Sequence, residues 1–150
     1  MRALPDTSFL CSLYREQAFS READKLFEET DKPLAVSALL LFEFRQSVRL
    51  QIFLHTKDRK KGFTKEEGEA MLRDLRADLA SGVIAVVPVD WTEVHKLAEI
   101  LSAKHTESGG HRFADLLHVA TALQLGAENF LTFDANQRAI ARAEGMKTPG

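Results

Sequence analysis

Apolar residues along this chain alternate between short continuous runs and runs at helical spacing. Arg2 to Pro5 is a strand candidate that ends at Asp6, after which Phe9, Leu10, Leu13 and Tyr14 recur at helical intervals. A second strand, Leu34 to Val36, hands over through Ser37, an N-cap residue, to a long apolar helix from about Ala38 to His55. Residues 64 to 81 form the next predicted helix, with Thr64 and Glu67 at capping-box spacing and Gly82 as its stop before the strand Val83 to Val87. Helix 91 to 104, a polar break at Thr106 to Gly110 and a helix from about Phe113 to Leu125 follow. The strand Asn129 to Phe133 and a helix from Ala135 to Glu144 complete the series, with Gly126 and Gly145 closing the last two helices.

Strands alternating with helices imply an α/β fold with a parallel sheet, because parallel neighbours need crossovers and must be covered on both faces. Ligands in such sheets bind beyond the carboxyl ends of the strands. Asp6 and Asp134 both stand where a strand gives way to a helix, so both are expected at one edge of the sheet.

Each acidic residue also has a plain structural reading. Asp134 with Gln137 three residues on is a capping pair, and Asp6 can cap the helix that starts near Ser8. Asp115 lies in the first turn of an otherwise apolar helix, where the macrodipole favours negative charge. Glu43 is harder to place, since it lies within Leu39-Leu40-Leu41-Phe42-Glu43-Phe44 and an ionised glutamate is rarely buried without a partner. Taken together, the four gather at helix starts or on an apolar face. Carboxylates about 4 Å apart repel by about 4 kcal/mol per pair at an effective dielectric of about 20, so a cluster must protonate or hold a cation. All-oxygen ligation suits Mg²⁺ or Mn²⁺. Thr7, Ser8 and Thr132 are candidates to brace Asp6, Asp134 or a bound water, and Arg112, one turn before Asp115, to grip a phosphate. His111, Asp115 and His118 have spacing compatible with zinc, but no complete zinc set accompanies them.

Composition narrows the class. With 150 residues, 45% hydrophobic and 28% charged, the chain fits one folded domain over 1–150. Its apolar runs are far shorter than the about 20 residues that span a bilayer, and its start offers no secretory signal, so the expected location is the cytoplasm. Cys11 is alone and reads as a buried, inert thiol. A net charge of -2 runs against a nucleic-acid enzyme, yet setting four of the 22 acids aside in one pocket leaves the rest mildly basic. The basic stretch Lys57, Arg59, Lys60 and Lys61 reads as a solvated turn between helices.

Several segments together resemble a known family. Pro5-Asp6-Thr7-Ser8, the Glu43 helix after Val36-Ser37, and His111-Arg112-Phe113-Ala114-Asp115-Leu116-Leu117-His118 leading to Phe130-Leu131-Thr132-Phe133-Asp134 look like a PIN domain of the VapC type, the toxin half of bacterial and archaeal toxin-antitoxin pairs. The resemblance implies a three-layer α/β/α fold with a central parallel sheet of four to five strands. It also implies Mg²⁺ or Mn²⁺ at Asp6, Glu43, Asp115 and Asp134, endonucleolytic cleavage of RNA, a homodimer, and a cognate antitoxin that blocks the site. Relatives usually add a closing edge strand, whereas residues 145–150 offer little β-forming material. Competing expectations are a catalytically silent RNA- or protein-binding module, a solitary RNA-processing nuclease, a nuclease acting on DNA, and a small-molecule phosphohydrolase. The last lacks an Asp-x-Asp signature around Asp6.

Overall fold

Four three-residue strands and seven helices follow one another in the computed structural model, which describes residues 1–150. Strand β1 (Ala3–Pro5) runs into α1 (Thr7–Tyr14) and α2 (Ser20–Glu29); β2 (Leu34–Val36) leads to α3 (Ala38–Lys57) and α4 (Lys65–Ser81). Then come β3 (Ile84–Val86), α5 (Trp91–Gly109), α6 (Phe113–Gln124), β4 (Asn129–Leu131) and α7 (Ala135–Ala143).

All strand pairing is parallel. β1 pairs with β4, setting Pro5 opposite Leu131, and β2 pairs with β3, setting Val36 opposite Val86. β1 packs beside β2 without a ladder, although Asp31 N–H donates to Met1 O at 2.9 Å. The α/β class therefore holds, but the expected sheet of four to five strands is smaller, being two two-stranded ladders. The break falls between β1 and β2, and β4 is also shorter than expected. Thr132 and Phe133 leave the ladder because their side-chain and backbone donors turn toward Asp6 and Ser8. At the far edge, Lys147 forms a single bridge with Asn129, and Phe130 N–H donates to Lys147 O at 2.8 Å.

Each face of the strands buries its own core. Alternation along β2 sends Leu34 and Val36 to one side, with Phe9, Leu26, Phe44, Met71 and Leu75 from α1 to α4. Leu4 and Phe130 point to the other, among Val94, Leu101, Leu116, Val119 and Ile140 from α5, α6 and α7. This double coverage is what parallel strands require, and each fully buried Leu or Phe contributes about 1.5–3 kcal/mol.

Two local expectations change. The polar break at Thr106 to Gly110 is helical as far as Gly109, because Gly110 adopts the left-handed conformation (φ 65°) and its N–H closes on Thr106 O at 2.7 Å. Helix α2, between Tyr14 and Leu34, has no counterpart in the sequence reading. Its sequence is mostly polar, and it anchors itself chiefly through Ala23 and Leu26. The basic stretch from Lys57 to Lys61 is exposed between α3 and α4. Burial pushes the Cys11 thiol up to about 11, in keeping with an inert cysteine. No helix is long and apolar enough to cross a membrane.

Candidate active site

The parallel register of β1 and β4 carries two segments out of the ladder side by side. Asp6 N–H donates to Leu131 O at 3.0 Å, so Asp6 and Thr132 are neighbours across the strand ends. Asp6 is fully buried. Its Oδ1 accepts from Phe9 N–H at 3.0 Å, as the N-cap of α1, and from Ser8 Oγ at 2.7 Å, while Oδ2 accepts from Thr132 Oγ1 at 2.6 Å. Burial pushes this carboxyl above its ordinary range, opposed by the three donors and by the imidazole of His118. Thr132 works in two directions, since its Oγ1 also accepts from Asp134 N–H at 2.9 Å.

Glu43 sits on the second turn of α3 and reaches across two interfaces. Thr7 Oγ1 donates to Glu43 Oε1, and His118 Nε2 approaches the same oxygen at 3.0 Å from α6. With the carboxylate ionised, the ring nitrogen is the donor. His118 is buried, and its hydrogen bond holds the Glu43 carboxyl below its usual range against the effect of burial. The sequence reading missed this pairing. Its only signal was the placement of His118 three residues after Asp115, one turn along an apolar helix.

Asp115 and Asp134 complete the cluster. Burial raises the Asp115 carboxyl, and the charges of Asp134 and Glu43 raise it further; His118 and Arg112 pull it back. Asp134 caps α7 by accepting from Gln137 N–H at 2.8 Å. Gln137 does more than its capping position suggested. Its Nε2 donates to Asp115 Oδ1 at 3.2 Å, while its Oε1 is buried without a donor.

The charges of Asp134 and Glu43 are thus both felt at Asp115, with Asp6 joined to this group through Thr132 and through the Thr7 and His118 side. Ser8 and Thr132 support Asp6, whereas Thr7 supports Glu43. Arg112 stays exposed at the start of α6 and makes no ion pair, although its charge is felt at Asp115.

Donor chemistry would suit a hard divalent cation: oxygen ligands, repulsion of Asp115 by Asp134 and Glu43, and in Gln137 Oε1 a buried acceptor able to receive a hydrogen bond from a water of the ion. No three of the carboxylate, imidazole and thiol groups are gathered at ligand distance of a common point. His111 does not join Asp115 and His118 in a zinc set.

Against known families, the PIN domain matches residues 3–143. The chain belongs to the PIN-domain family. Among solved structures, this PIN domain is similar to VapC20 of Mycobacterium tuberculosis, a sarcin-ricin loop cleaving toxin, with TM-score 0.67 and 19% identity over 99% of each chain. It is also similar to a toxin-antitoxin complex from Klebsiella pneumoniae (TM-score 0.64, 18% identity, 99% of this chain and 98% of that one). A third likeness is to VapBC2 of Rickettsia felis bound to a DNA fragment from its promoter (TM-score 0.61, 16% identity, 99% and 97%). At these identities the likeness establishes the fold. No curated protein matches the sequence.

Proposed function

We propose that this PIN domain is a divalent-metal-dependent endoribonuclease, the toxin of a toxin-antitoxin pair. One observation carries the reading: at the carboxyl end of the strands Asp115 is partly buried within reach of the charges of Asp134 and Glu43, and burial together with those charges disfavours its ionised form. Crowding of this kind is relieved by a cation, and Mg²⁺ or Mn²⁺ suits the oxygen donors.

Asp6, Asp115 and Asp134 would hold the ion. Glu43, fixed between Thr7 and His118, is positioned to orient a water or accept its proton. When bound, the ion supplies a water of lowered pKa and neutralises charge on the phosphorus oxygens. Arg112, exposed beside Asp115, supplies a guanidinium for the phosphate. Gln137 holds Asp115 through its Nε2, and its buried, donorless Oε1 would accept a hydrogen bond from a water of the ion.

An antitoxin partner is supported by a surface beside this cluster. Ala38, Leu39, Phe42, Trp91, Phe113 and Leu117 line a mostly apolar groove of about 440 Å³. Phe42 and Phe113 in it are 64% and 76% exposed. Phe42 lies in α3 next to Glu43, and Phe113 and Leu117 lie in α6 on either side of Asp115, so the groove is built from the two helices that carry these acids. Large exposed apolar patches of this kind mark protein partners, which accords with the toxin-antitoxin assemblies among the neighbouring structures. A second copy of the chain and a cytoplasmic location belong to the same reading.

The alternative, a silent RNA- or protein-binding module, draws on the absence of three groups at ligand distance. Incubating the purified protein with single-stranded and structured RNA in Mn²⁺, Mg²⁺ or EDTA separates the two. Cleavage in the metals, its loss in EDTA, and a drop of about 10²–10³-fold in Asp6→Asn and Asp115→Asn are expected. Activity that persists in EDTA and in both variants would overturn the assignment.

A further inference from the structure

Beside the acid cluster, three phenylalanine rings are stacked from the core to the surface. Phe9 is fully buried in α1, and its ring lies 5.9 Å from that of Phe133 at 16°. Phe133 in turn stacks on Phe19 at 4.8 Å and 4°, close to parallel. Phe19 ends the series at the surface, 52% exposed, at the start of α2. Nothing in the backbone demands an aromatic residue there, since the Phe19 side chain makes no capping bond.

The stack is tied to the acids. Phe133 directly precedes Asp134, and its N–H donates to Ser8 Oγ at 2.9 Å; the same hydroxyl donates to Asp6 at 2.7 Å. A groove of about 520 Å³ opens along it, lined by Phe19, Glu22, Phe133, Ala135, Arg138 and Gly150. Ala135 is the first residue of α7, immediately after Asp134. Arg138 contributes a guanidinium, with its two outer nitrogens bonded to Thr132 O at 2.8 Å and Gly150 O at 3.0 Å, and Glu22 contributes an acceptor.

We infer that the outer face of Phe19 is a stacking site for an unpaired nucleobase of the RNA substrate, one that holds the strand in register with the acid cluster. The inference rests on the ribonuclease reading and names its substrate class: RNA that is single-stranded beside the cut. Flat aromatic faces take unstacked bases whatever their sequence, and a duplex keeps its bases out of reach. The occupant is a base rather than an apolar peptide because the groove combines a ring stack with Arg138 and Glu22. These are partners for the polar edge of a base, and the apolar groove near Phe113 lacks that pair. Glu22 favours bases that present an amino group, which places it as the residue for base preference.

The test compares wild type with Phe19→Ala, Phe19→Leu and Phe19→Tyr. Fluorescein-labelled single-stranded oligoribonucleotides are titrated in EDTA and followed by anisotropy, with cleavage in Mn²⁺ measured alongside. Each oligonucleotide is also made with an abasic residue at one position in turn. Phe19→Ala and Phe19→Leu should weaken binding and raise KM by about 5- to 100-fold with kcat little changed, and Phe19→Tyr should restore both. Phe19→Leu keeps Phe133 covered, so its loss of binding separates stacking from stability. One abasic position should weaken wild-type binding by a similar factor and have no further effect on Phe19→Leu. If wild type cuts RNA while the Phe19 variants bind and cut alike, or if the abasic penalty persists in Phe19→Leu, the stacking site falls and the ribonuclease reading stands. If wild type neither binds nor cuts any RNA, both fall.

Discussion

Two clusters of ionisable side chains sit near the ends of α7, and they differ in where their countercharge comes from. At the C-terminal end, Glu144 is met by Lys104 at 2.9 Å and His105 at 3.0 Å, both from α5, and its carboxyl is held below the ordinary range by those two bonds. At the N-terminal end, beside the Asp134 cap, burial raises the Asp115 carboxyl and the charges of Asp134 and Glu43 raise it further. The first cluster is neutralised by the chain itself and acts as a clamp between helices. The second has only part of its countercharge, from His118 and an exposed Arg112, which leaves room for an external cation. Asp115 and Asp6 are thus raised where Glu144 is lowered, and within the acid cluster Glu43, paired with His118, is held low.

The largest thermodynamic contrast comes from adding metal. Mn²⁺ at about a hundred times its dissociation constant should stabilise the protein by about 2.7 kcal/mol, a rise in Tm of roughly 5–10 °C. Scanning calorimetry should show that rise in wild type and in Glu144→Gln, and lose it in Asp115→Asn. An equal rise in all three proteins would place the ion elsewhere.

Removing one brace is expected to cost somewhat less. Thr132→Val keeps the shape but removes the donor to Asp6 Oδ2 and the acceptor for Asp134 N–H. A loss of about 1–3 kcal/mol is expected by urea denaturation, along with about 10–100-fold weaker Mn²⁺ binding by calorimetric titration. Unchanged affinity would mean that Asp6 does not support the ion.

The smallest effect is a difference in pH dependence. A raised carboxyl binds protons more readily in the folded state, so the Asp115 region favours folding at low pH. That contribution is lost as pH rises above 3.8 through the raised folded value. Glu144 does the reverse. Its contribution is present above 4.5 and lost as pH falls through the lowered folded value. In metal-free protein, Asp115→Asn should therefore flatten the decline of Tm toward neutral pH, whereas Glu144→Gln should flatten the decline toward acid. For an exposed Lys104 partner the second effect stays under about 1 kcal/mol. Parallel curves for the two variants would show that the clusters are electrostatically alike.

The acid cluster was largely legible in the sequence wherever local rules and chemistry coincide, whereas the Glu144 clamp, which joins α5 to α7, was not. Asp6 and Asp134 stand at strand-to-helix transitions, and register alone brings Asp6 beside the Thr132 segment. Glu43 stood out as an acid within an apolar run. Its partner did not, because the contact between His118 and Glu43 spans α3 and α6 and depends on how the helices pack over the strands. Gln137 illustrates the same limit: its backbone role followed from spacing to Asp134, but its reach to Asp115 is a contact between α7 and α6. Helix α2 was hidden for another reason. Segment 20–29 carries few apolar residues, so its stability comes from packing Ala23 and Leu26 into a core assembled by other segments. The four short strands were likewise legible in their right order, while the extent of the sheet was overstated.

Anomalous diffraction from a crystal grown in Mn²⁺ tests the need for an external cation most directly. A peak bounded by Asp6, Glu43, Asp115 and Asp134, with carboxylate oxygens of Asp115 and Asp134 drawn onto it, is the expected result. A map with no peak among these residues at saturating Mn²⁺, or with the ion bound only elsewhere, would contradict it.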